Sequence, residues 1–149
     1  MPPEDVEARR AQLRAAPRHV KAASGFATLV GLFTLLRACA SAYAGQLTYG
    51  KALLFGFLLL GLFWYCGMSL LDRSRWGFVA LTGLAALPLF GVFAAAVHLL
   101  RLLVEGKAAA ELGDALVGVT GLCQLLATLI LFRHLLAAET RHYIWKKAA

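Results

Sequence analysis

Three stretches of this 149-residue chain carry no charged side chain: residues 52–71, 76–100 and 115–132, which are 20, 25 and 18 residues long. The hydrocarbon core of a bilayer is about 30 Å thick and takes about 20 apolar residues in an α-helix, so each run has the length of a crossing. A fourth run, 22–36, stays uncharged for 15 residues and is then interrupted by Arg37. It completes a crossing if Arg37 lies near its end. None of the runs alternates apolar and polar residues, which excludes a closed β-barrel. The sequence therefore predicts an all-α polytopic membrane protein with four transmembrane helices in an up-down bundle, at 22–42, 52–71, 76–100 and 115–136. Composition agrees, with 60% hydrophobic and 15% charged residues, against about 45–50% and about 25% in soluble domains.

Charge lies at the ends of these runs. Residues 1–21 form a charged cytoplasmic tail in which Glu4, Asp5 and Glu7 precede Arg9, Arg10 and Arg14, an order that suits a short helix ended or bent by Pro17. Residues 139–149 form a basic aromatic tail. The net charge of +7 and pI near 9.8 would point to nucleic acid in a soluble domain, but position decides otherwise. Arg9, Arg10, Arg14, Arg18, Lys21, Arg73, Arg75, Arg133, Arg141, Lys146 and Lys147 fall on one side, and Lys51, Arg101 and Lys107 on the other. This split of 11 to 3, with Arg37 as the fifteenth, puts both termini and the 72–75 turn in the cytoplasm by the positive-inside rule. Location in the inner (plasma) membrane follows. Tyr43 and Tyr49 would mark the outer interface, and Trp76, Tyr143 and Trp145 the inner one. Ala42-Tyr43-Ala44 after a basic start mimics a secretory signal, but the acidic tail and Arg37 argue against cleavage. Arg9, Arg10, Arg14, Arg18, Lys21, Arg73, Arg75, Arg141, Lys146 and Lys147 are expected to attract anionic lipids, at about 1 kcal/mol per basic residue near the surface. Nucleic acid is not an expected partner.

A few residues depart from this apolar background. Arg37 has two placements open to it: its side chain reaches the outer interface, or it faces the bundle and meets Glu105, Glu111, Asp114 or an anion. His98, Arg101 and Glu105 share one helix face and with Arg37 form a candidate outer polar site. Thr120, Gln124 and Thr128 recur every fourth residue as a candidate polar stripe, and such side chains usually bond to neighbouring helices. Ala23, Ala27 and Gly31 form a small-residue stripe that invites close approach of another helix, in this chain or in a partner. Pro88, in the middle of a run, removes one backbone donor and frees the carbonyl of Leu84. Cys39, Cys66 and Cys123 lack metal-type spacing. No metal, cofactor or catalytic motif is expected.

The stretch Gly67-Met68-Ser69-Leu70-Leu71-Asp72-Arg73-Ser74-Arg75-Trp76-Gly77-Phe78 resembles a turn common in small bacterial four-helix integral membrane proteins of uncharacterised function. There a glycine-containing helix end meets a short basic turn, and a tryptophan opens the next helix. The resemblance implies a membrane hairpin and transfers no catalytic residue. Two Ile and no Asn, beside abundant Ala and Leu, point to a GC-rich, bacterial source. Three functions stay open. The first is a non-enzymatic accessory or assembly subunit packing through its helices against another membrane protein, whereas a homo-oligomer alone favours the second. The second is a small oligomeric transporter or channel using Arg37 and the outer polar cluster. The third is an enzyme on lipid head groups, with His98 and Glu105 as acid and base.

Overall fold

The computed structural model describes residues 7, 11, 14–104 and 112–145, with the backbone alone at 90, 92–104 and 112. Among the described residues the fold is all-helical: α1 (Arg18–Tyr43), α2 (Tyr49–Leu71), α3 (Arg75–Val104), α4 (Leu112–Leu136) and α5 (Ala138–Trp145). Three of these helices, α1, α2 and α4, are long and apolar enough to cross a membrane, and α3 is apolar over Arg75–Leu89. Only 28% of the most apolar part of each of the three is buried within the chain. Leu54, Phe57, Tyr65 and Leu122 are more than half exposed. A soluble monomer rarely presents continuous apolar surface of this extent, whereas hydrocarbon solvates it without cost.

Helix α1 starts at Arg18, ahead of the expected residue 22, because Pro17 provides its first acceptor. The Pro17 carbonyl receives the N–H groups of Val20 and Lys21, both at 3.1 Å. Proline has no N–H of its own to leave unpaired there. Between α2 and α3, the turn closes one helix and opens the next within a few residues. Arg73 N–H donates to the Leu70 carbonyl at 3.1 Å and Ser74 N–H to the Ser69 carbonyl at 3.0 Å. This pair of bonds requires a left-handed residue, usually glycine; here Arg73 takes it, at φ 57°. The Ser74 hydroxyl then accepts the N–H of Gly77 at 3.1 Å and caps α3.

The core is built around α1, whose Val20, Ala23, Ala27 and Val30 are fully buried. Its small-residue stripe packs on α2 of the same chain. A Cβ added at Gly31 would lie 3.1 Å from the Leu60 Cα, and one at Gly67 would lie 3.1 Å from both the Ala27 Cβ and the Ser24 carbonyl oxygen. Gly56 opposes Leu35 in the same seam. Helix α1 runs antiparallel to α4: His19 meets His134 at one end, and Ala44 meets Gly113 at the other.

The C-terminal segment, expected as a tail, folds through Trp145 into a docked helix. On α5 the Tyr143 hydroxyl donates to the Leu71 carbonyl at 3.1 Å, and the buried Thr140 donates to the His134 carbonyl at 2.8 Å. Arg73 lies 4.6 Å over the Tyr143 ring, and Arg75 lies 5.0 Å over the Trp145 ring. Of the aromatic residues expected at this border, Trp76 and Trp145 are exposed, but Tyr143 is buried. It acts as a core residue because its hydroxyl satisfies a helix-end carbonyl that α2 leaves without an intrahelical donor.

Candidate intramembrane polar site

Arg37 lies six residues before the end of α1 at Tyr43. Cα–Cβ bonds on a helix tilt towards its N-terminus, so this side chain starts out directed back along α1, away from the nearer helix end. Its Nη1 donates to Gln124 Oε1 and its Nη2 to the Gly91 carbonyl, each at 3.4 Å. The guanidinium crosses two glycines: a Cβ at Gly91 would lie 3.7 Å from Nη1, and one at Gly121 would lie 3.9 Å from Cζ. Of its two expected placements, Arg37 takes the bundle-facing one. Its acceptors among the described residues are neutral oxygens. Asp114, an expected partner, instead accepts from Gln46 Nε2 at 3.2 Å. Glu105 and Glu111 lie outside the described residues.

Gln124, midway along α4, is 3% exposed. Its Nε2 donates to Thr34 Oγ1 at 2.8 Å, and the Thr34 hydroxyl donates to the Val30 carbonyl at 2.7 Å. Donation thus runs in one direction, from Arg37 through Gln124 and Thr34 to Val30, and ties α1 to α4. The expected stripe behaves unevenly. Thr128 donates to the Gln124 carbonyl at 2.7 Å and Thr120 to the Leu116 carbonyl at 2.7 Å, both within their own helix. Only the middle member, which has the longer amide side chain, bonds to another helix. Thr34 shares a helix face with Arg37 at a spacing of three residues, and that spacing was a usable signal. Gly91 contributes a backbone oxygen, which side-chain chemistry cannot announce.

Beside this relay lies a cavity of about 200 Å³ lined by Thr34, Leu59, Phe63, Leu84, Leu87, Pro88 and Gln124. Pro88 cannot donate to the Leu84 carbonyl, so the missing rung of α3 lies in the cavity wall. The rest of the expected outer site lies outside the described side chains: His98 and Arg101 fall where α3 is described by backbone alone, and Glu105 falls outside the described residues.

At the opposite end, His19 Nδ1 and His134 Nδ1 are 3.1 Å apart, and His19 Nε2 is 3.7 Å from Glu139 Oε2. Phe26 stacks on His134, with ring centroids 5.7 Å apart. A hydrogen bond between two imidazoles requires one of the facing nitrogens to be unprotonated. Among the described residues, no three His, Cys, Asp or Glu side chains gather to hold a metal ion. Of the expected lipid-facing cations, Arg14, Arg18, Lys21, Arg73, Arg75 and Arg141 are exposed. Arg9, Arg10, Lys146 and Lys147 lie outside the described residues. Comparison with protein-family models, with curated proteins and with solved structures found no match.

Proposed function

We propose that this chain is a four-span, up-down protein of the bacterial inner membrane with both termini cytoplasmic, and that it serves as a non-enzymatic accessory or assembly subunit. The asymmetric Lys/Arg distribution supports the orientation. One observation carries the role: the polar side chains of the bundle hold its helices together, with Arg37, Gln124 and Thr34 linking α1, α3 and α4 through a single run of hydrogen bonds. Interhelical bonds of this kind consolidate a membrane bundle that can then present its remaining surface to a partner. Purification in mild detergent followed by mass spectrometry tests the role. A second membrane protein in fixed stoichiometry is the expected result; a homo-oligomer alone would overturn it.

A small oligomeric transporter or channel is the second reading, favoured by the position of the Arg37 guanidinium inside the bundle beside a cavity. Arg37→Ala separates the two. Lost solute flux with unchanged stability supports transport, whereas lost stability or assembly supports the accessory role. The exposed cations at the α5 end carry the proposed attraction to anionic lipids. Binding to vesicles should rise with phosphatidylglycerol content and fall with added salt.

A further inference from the structure

We propose that the cleft between α2 and α3 is a binding site for a single-chain amphiphile with a carboxylate head, the chemistry of a long-chain fatty acid. The wall formed by Leu59, Phe63, Leu84, Leu87 and Pro88 is apolar, and Gln124 and Thr34 form its polar part. Leu87 is 63% exposed, so the cleft opens outward on that side. This inference rests on the chain lying in a bilayer, where the solvent at such an opening is acyl chain. An apolar cavity of about 150 Å³ suffices for a benzene-sized guest, and this one is about 200 Å³.

The head group follows from Arg37. Its guanidinium lies behind the cleft lining, where it bonds Gln124 Oε1, itself in the cleft wall, and the Gly91 carbonyl, three residues beyond Pro88; a head group reaches it by taking the place of the Gln124 amide. Both bonds are 3.4 Å long, at the weak limit for N–H···O geometry. They use two of the five guanidinium N–H donors. A carboxylate would meet the same fork with two parallel, charge-assisted bonds at about 2.7–2.9 Å and would neutralise the single charge. The volume suits a segment of one chain, which disfavours a two-chain phospholipid.

The full chain, reconstituted in phosphatidylcholine nanodiscs, is titrated with radiolabelled palmitate, with protein-free nanodiscs as background. Saturable binding of one palmitate per chain is expected, and palmityl alcohol should bind about tenfold more weakly for want of the charge-assisted bonds. Arg37→Gln should weaken palmitate by a similar factor. Leu84→Trp, which fills the cleft and leaves the guanidinium in place, should abolish saturable binding. Equal binding of palmitate and palmityl alcohol to the unmodified chain would overturn the proposal without recourse to a variant. Competition by acetate would reduce the site to one for small anions, and competition by phosphatidylglycerol would make it a phospholipid site; either result overturns the proposal. Flotation with vesicles separates the two levels of inference. A chain that fails to float overturns the membrane reading itself. One that floats but does not bind palmitate overturns only the ligand.

Discussion

Along α1, helix α2 sits so close that a Cβ at Gly31 or at Gly67 would meet the facing helix at 3.1 Å. Towards α3, the same helix helps to line a cleft of about 200 Å³, with Leu59 and Phe63 across from Leu84 and Leu87. Residue size accounts for the contrast. Ala27 and the seam glycines let the α1 and α2 backbones approach, and in hydrocarbon that close contact is itself a main source of attraction between helices. The α2–α3 pair instead presents branched and aromatic side chains around Pro88, and its described ties lie at the turn and α5. A membrane bundle can thus hold one tight pair and one loose pair along a single helix, with Phe63 in both, and the loose pair is where a ligand has room.

Gly31→Leu would break the tight side. The Leu60 backbone is 3.1 Å from the added Cβ, so a loss of about 3 kcal/mol is expected, the upper end for overpacking. Unfolding by SDS titration in micelles would measure it. Gly61→Leu is the matched control on the facing helix α2, where no atom lies within 4 Å of the new Cβ; no loss is expected there. Equal effects at the two sites would remove the seam as the cause of the contrast.

Gln124→Leu tests the polar link beside the loose side. It removes the Arg37 acceptor and the donor to Thr34, and a loss of about 1–3 kcal/mol is expected, as for hydrogen bonds to charged groups. The same SDS titration reads it; an unchanged midpoint would mean that packing alone closes the bundle there. Tyr143→Phe acts where α5 ties down the end of α2. It deletes one bond to the Leu71 carbonyl, worth about 1 kcal/mol, and faster hydrogen exchange around Leu71 should accompany the loss.

The smallest effect is expected at Arg73. Glycine there relieves a left-handed conformation that costs a non-glycine residue about 1–2 kcal/mol, but it gives up a cation–π contact worth about 0.5–1 kcal/mol at an exposed site. Arg73→Gly should therefore change the unfolding midpoint little. Arg73→Ala keeps the strain, loses the contact and should fall below both. If Arg73→Ala matched the original chain, the Tyr143 stacking would have no role in holding the turn.

The apolar runs were legible because hydropathy is a local property that any window of residues reveals. The seam was legible in part: Ala23, Ala27 and Gly31 marked a close approach, but only the structure showed that α2 of the same chain fills it. Helix α5 was read as a tail because its eight residues, Ala138–Trp145, are too few to be stable alone. Its order comes from Tyr143 and the two cation–ring contacts, which are tertiary, and from Thr140, which bonds back across the α4–α5 junction. For Arg37, spacing left two directions open, and only its bonds to Gln124 and the Gly91 carbonyl decide between them.

Local chemistry alone therefore determined the helical class, the places where crossings can lie and the confinement of most charge to the ends. These follow from the cost of placing backbone and charge in hydrocarbon, which depends on the residues of one segment at a time. Tertiary structure decided which stripe meets which helix, why only Gln124 of its polar stripe reaches across, and how Arg37 comes to lie over two glycines with a backbone carbonyl as acceptor. Those outcomes depend on groups far apart in the chain, from Thr34 to Gln124, and sequence spacing does not encode the distances between them.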